Sequence, residues 1–95
     1  MAASIRDAYA PGADIVFREI EGEAVLLNLE TGIYFGLNST GTRMWRLIEE
    51  HHLLERVLAA LEDEFDAPPP RLETELLEWV AQLEDKGLLR RERSA

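Results

Sequence analysis

The segment Val25-Leu-Leu-Asn-Leu-Glu-Thr-Gly-Ile-Tyr-Phe-Gly-Leu-Asn38 reads as a β-hairpin that runs straight into a helix. Residues 24 to 29 and 33 to 37 are the two strands. Glu30-Thr31-Gly32 is a three-residue loop in which glycine takes the left-handed position of a bulged turn. Upstream, Asp14-Ile-Val-Phe-Arg-Glu-Ile20 is rich in β-branched and aromatic residues and stops at the turn signal Glu21-Gly22-Glu23. Two tight connections in succession give a three-stranded antiparallel meander with the second strand in the middle. The third strand, Ile33 to Leu37, is then an edge for which the rest of the sequence offers no obvious partner.

That edge carries no charge and no proline. Alternation places Ile33, Phe35 and Leu37 on one face and Tyr34, Gly36 and Asn38 on the other, with Gly36 leaving its face open. An apolar edge of this kind invites aggregation unless something covers it. Either another part of the domain does so or a partner peptide adds as a strand, with backbone hydrogen bonds supplying affinity and side-chain pockets supplying selectivity.

Three helices follow. Asn38 or Ser39 can cap the first, to which Met44, Trp45 and Ile48 give an apolar side, and it fades at Glu49-Glu50-His51-His52. The second carries Leu54, Val57, Leu58, Leu61 and Phe65 at amphipathic spacing, and Asp66-Ala-Pro-Pro-Pro70 ends it. The third runs from about Arg71 to Lys86 and closes at Gly87, with Leu88 placed to pack back on Leu83 in a Schellman motif. Its apolar residues, Leu72, Leu76, Leu77, Trp79, Val80 and Leu83, spread over about 160° of the helix. That width fits either contact with a second body or burial between two elements of the same domain, and Trp79 fits either core or groove wall. The fold class is α+β.

A chain of 95 residues with 46% hydrophobic content is one domain. Residues 1–13 read as a flexible arm, 14–89 as the folded domain and 90–95 as a basic tail. Without cysteine there is no disulfide, thiolate zinc site or thiol nucleophile. No apolar run approaches the roughly 20 residues of a membrane span, and the start lacks a signal-peptide pattern, so the expected location is cytoplasmic. The net charge is −9, and four of the ten basic residues (Lys86, Arg90, Arg91, Arg93) lie in the last ten positions. The acidic body repels phosphate backbones and anionic membranes.

Nor does the sequence offer catalytic groups. Its serines, Ser4, Ser39 and Ser94, fall in the arm, at a helix cap and in the tail; the adjacent His51 and His52 lack zinc-type spacing. No enzyme activity, cofactor or metal is expected.

The order of features, from Glu23 through the hairpin to Asn38, then Gly41-x-x-x-Trp45, an amphipathic helix and Leu83-x-x-x-Gly87-Leu-Leu89, resembles the PqqD-like family over residues 12 to 89. The resemblance implies a winged-helix-like fold and a non-catalytic chaperone role in pathways to ribosomally made, modified peptides. The leader of a precursor peptide would add as a strand to the third strand, in a groove walled by the third helix. It would then be presented to a modifying enzyme, such as a radical SAM enzyme, or to a leader peptidase. Carried onto this chain, the resemblance gives a strand side of Ile33, Tyr34, Phe35, Gly36 and Leu37 and a helix side drawn from Leu76, Trp79, Val80, Leu83 and Lys86. The member that serves pyrroloquinoline quinone synthesis tends to carry Leu-Leu-Ala-Pro-Glu at the second strand and turn. This chain carries Leu26-Leu-Asn-Leu-Glu-Thr-Gly32, which points to another peptide product, for instance a lasso peptide. A winged-helix DNA-binding regulator is the alternative, and five acids against two bases from Arg71 to Lys86 weigh against it. The expected state is a monomer or weak homodimer.

Overall fold

Glu21 and Gly22 both take positive φ, 54° and 83°, in a two-residue turn whose twist matches the strands on either side and pairs Ile20 with Glu23. The computed structural model describes residues 3–92. Its elements are β1 (Ala8–Pro11), β2 (Ile15–Ile20), β3 (Glu23–Asn28), β4 (Tyr34–Leu37), α1 (Ser39–His51), α2 (Leu54–Glu64), α3 (Pro69–Asp85) and β5 (Leu89–Glu92). The antiparallel sheet β2-β3-β4 followed by three helices is the expected meander and helix order.

Asn28 organises the second turn. Its side-chain Oδ1 accepts from the N–H groups of Glu30 (3.0 Å) and Thr31 (3.3 Å), and Gly32 at φ 76° donates to the Asn28 carbonyl at 2.7 Å. The polar side chain of Asn28 is buried, and the loop's own donors satisfy its oxygen.

Ala24, Leu26 and Leu37 turn into the core with Met44, Trp45 and Ile48 of α1, and the half-buried Phe17 and Phe35 pack at its margin. The Phe17 ring stacks on Trp45 with centroids 6.2 Å apart, and the Arg46 guanidinium covers the ring from 4.3 Å while bonding Glu19. Of the two cap candidates, Asn38 is the one used: its side chain accepts from the Gly41 N–H at 2.8 Å. The third helix begins at Pro69, two residues before the expected Arg71. Proline at the first helical positions sacrifices only an N–H that the first turn leaves unbonded.

At its far end α3 closes as expected. Gly87 sits at φ 73°, Leu88 N–H donates to Leu83 O at 2.9 Å and Gly87 N–H to Glu84 O at 3.1 Å, the two bonds of a Schellman motif. Leu83 and Leu88 are both fully buried.

The expectation of a loose arm and a solvated tail is corrected. Ala8–Pro11 pairs antiparallel with Leu89–Glu92, Tyr9 opposite Arg91, in a second, two-stranded sheet. On its other side β1 meets the α1–α2 junction, where Tyr9 N–H donates to His52 O and Leu54 N–H to Asp7 O. Tyr9 is fully buried; its hydroxyl donates to Glu84 at 3.0 Å, and Arg91 bridges Glu84 and Asp7 at 3.4 Å each beside the Tyr9 ring. Four-residue strands carry too little alternation to be read from sequence, and Arg90-Arg91 resembles a solvated tail until Glu84 and Asp7 are seen to face it. Arg93 and Ser94 lie outside the described residues.

Burial, and then the bond to Glu84, pushes the Tyr9 hydroxyl from 10.0 up to about 12. The folded chain thus keeps a proton that the unfolded chain releases, so stability present below pH 10 falls as pH rises towards about 12. Urea unfolding at a series of alkaline pH values should show this fall in the native chain and a shallower one in Tyr9→Phe. At neutral pH the same variant should lose about 1 kcal/mol with its hydrogen bond.

Candidate functional site

Backbone geometry decides what β4 offers. Asn28 N–H donates to Ile33 O at 3.0 Å, which makes 28 and 33 a hydrogen-bonded pair of the antiparallel ladder. Such pairs alternate, so Ile33, Phe35 and Leu37 turn their backbone groups towards β3. Tyr34 and Gly36 turn theirs outward, and β4 is the last strand of its sheet. Among the described residues the N–H and C=O groups of these two residues have no strand partner.

Helix phase decides what faces that edge. At 100° per residue, Trp79 and Lys86 are seven residues and about 20° apart, stacked on one flank of α3 roughly 10 Å apart along its axis. The Lys86 ammonium lies 5.9 Å from the centre of the Phe35 ring, so this is the flank that looks towards β4. The opposite flank carries Leu77, Ala81 and Glu84, and Glu84 is the residue bonded to Tyr9. Burial between elements of the same domain, one of the two alternatives for the broad apolar arc, accounts for this flank. One flank is used inside the domain against β1 and β5, and the other is left at the groove with Trp79 and Lys86 half-buried.

The ten candidate residues divide by exposure. Tyr34 (70% exposed), Ile33 (45%) and Gly36 are open to solvent, and Phe35, Trp79 and Lys86 are half-buried around the gap. Leu76, Val80 and Leu83 are fully buried and Leu37 nearly so. They belong to the continuous core and back the groove from behind, a correction to their placing on its surface. They occupy the middle of the helix's apolar arc, where sequence periodicity marks burial and cannot separate a groove from a core.

On the open face of the same strands, sequence reasoning singled out Tyr34 and Gly36 but missed Val16 and Val25. Val16, Val25 and Tyr34 are exposed there, and a concavity of about 520 Å³ opens beside Val25 and Gly36. A methyl group at Gly36 would meet nothing within 4 Å. The alternation of Ala24 and Leu26 with Val25 and Leu27 was the available signal. At the turn end, a concavity of about 390 Å³ lies where Lys86 and Gly87 meet Asn28 and Thr31. Among the described residues no group of three or more His, Cys, Asp or Glu side chains could hold a metal ion.

The family model for coenzyme PQQ synthesis protein D (PqqD) matches residues 23–89, which spans β3 to the start of β5. The chain belongs to the PqqD family. Two solved structures share the fold of this PqqD-family chain. TbiB1, in complex with the TbiA(beta) leader peptide, is 34% identical, with a TM-score of 0.82 over 88% of this chain and 98% of that one. Lasso peptide synthetase B1, complexed with the leader peptide, is 20% identical, with a TM-score of 0.79 over 87% and 98%. A search of curated proteins finds no match.

Gly87 joins groove to core in this PqqD-family chain. Besides its positive φ, an added Cβ would stand 3.2 Å from Asn28 Nδ2, so both the cap and the turn resist a side chain there. Gly87→Ala is expected to cost about 1–2 kcal/mol in denaturant unfolding. Gly36→Ala, on the open face, should leave stability within about 1 kcal/mol of the native chain.

Proposed function

We propose that this chain is a non-catalytic leader-peptide-binding protein, which takes the leader of a ribosomally made precursor as a fourth strand on β4. The observation that carries the reading is the outward-facing backbone of Tyr34 and Gly36, set opposite the Trp79 and Lys86 flank of α3. The 34% identity to TbiB1, a protein solved in complex with a leader peptide, supports it. An extended peptide would bond the Tyr34 and Gly36 groups. Its alternate side chains would drop between Phe35 and Trp79, while the others would lie beside Tyr34 on the outer face.

The magnitudes suit a carrier that must also release. Two or three apolar anchors contribute about 1.5–3 kcal/mol each, and ordering the peptide offsets part of this. A net of roughly 8 kcal/mol is micromolar affinity. The bound leader would be handed to a radical SAM enzyme, a leader peptidase or a comparable enzyme, in the cytoplasm where the precursor is made, and a lasso peptide is the product we favour. No helix among the described residues is long and apolar enough to cross a membrane. DNA binding is disfavoured by the acidic α3, in which Arg71 is already paired with Glu75.

Fluorescence polarisation with a labelled TbiA(beta) leader peptide tests the reading. Gly36→Pro removes an outward N–H without touching a β3–β4 bond, and proline is tolerated on a strand edge. It should weaken binding about ten-fold with far-UV circular dichroism unchanged. Unchanged affinity in this variant would place the peptide elsewhere.

A further inference from the structure

Lys86 is the only lysine in the chain. Arg43, Arg46, Arg71 and Arg91 each engage a carboxylate within 4 Å. Among the described residues Lys86, like Arg6, Arg18, Arg56 and Arg90, engages none, and of these five bases it is the one that lies over β4. Its contact there is with Phe35, half-buried at the C-terminal end of α3, where the helix dipole favours a cation. An uncompensated positive charge at the groove of a protein with net charge −9 is a local exception to the field around it.

We propose that Lys86 sets a sequence requirement on the bound leader: an aspartate or glutamate on the side facing α3, opposite or diagonal to Phe35. The inference rests on the strand-addition reading above. A residue paired across from Phe35 shares its face, with Cβ atoms about 5 Å apart. The ammonium already hangs over that ring at 5.9 Å, and its flexible stem lets it follow a carboxylate one strand further out. Elsewhere the acidic body repels an acidic peptide, so the preference is confined to one register position and helps fix which residues of the leader enter the groove. A cation at that position meets Lys86 and is rejected.

The test uses the labelled TbiA(beta) leader peptide with glutamate or lysine substituted in turn along its length. Each peptide is titrated into the native chain, Lys86→Gln and Lys86→Glu at low salt. One position should favour glutamate over lysine by about five-fold in the native chain, lose the preference in Lys86→Gln and invert it in Lys86→Glu. Amide shifts of residues 33 to 37 are followed in parallel. Shifts at those amides without any position that inverts overturn the role of Lys86 and leave the leader-binding reading standing. Absence of the shifts overturns both.

Discussion

The two hydrogen bonds that close α3 at Gly87 fix more of this molecule than any other contact. By returning Leu88 N–H to Leu83 O they stop the helix after Asp85 and bury Leu83 against Leu88. They also send the chain directly into β5. The same turn stands against Asn28, whose side chain shapes the β3–β4 loop. Helix phase and hairpin geometry are therefore set at one place. Rotating α3 by a single residue, about 100°, would carry Lys86 and Trp79 away from β4 and turn Leu83 out of the core.

The second sheet explains how a groove can stay open without weakening the fold. Every helix needs its apolar arc covered, and α3 would be half bare if the edge of β4 were its only neighbour on that side. β1 and β5 take the opposite flank through Tyr9, Glu84 and Arg91, so the helix is anchored by the flank that has no part in the groove. The buried hydroxyl of Tyr9 and the Arg91 pairs give that anchor a defined register.

Much of this was legible in the sequence where one local rule suffices. The left-handed place of Gly32, the Asn38-or-Ser39 cap, the amphipathic spacing of α2 and the Gly87 stop each depend on a few neighbouring residues and were legible. The loop is nevertheless one residue longer than expected, Leu29 to Gly32, because it is Asn28 that ends the strand and pairs with Ile33. The β1–β5 pairing was not legible, because it joins residues about 80 apart through strands of four residues and rests on Tyr9, Glu84 and Arg91 meeting in space. The candidate site was legible on its strand side, where alternation sorts Tyr34 and Gly36 from Phe35 and Leu37. On its helix side a run of apolar residues marks an arc without marking its edge, so Leu76, Val80 and Leu83 could not be told from Trp79. Lys86 marks the flank nearest β4 only once its ammonium is seen over Phe35.

The central claim is that β4 completes its hydrogen bonding with a foreign strand, and hydrogen exchange at single amides tests it most directly. In the free protein the outward N–H groups of Tyr34 and Gly36 should exchange fast, and those of Phe35 and Leu37, held by β3, slowly. Saturating TbiA(beta) leader peptide should slow Tyr34 and Gly36 at least about ten-fold and change Phe35 and Leu37 far less. Slowing confined to the α3 amides, or spread evenly along residues 34 to 37, would mean that the leader binds without adding a strand.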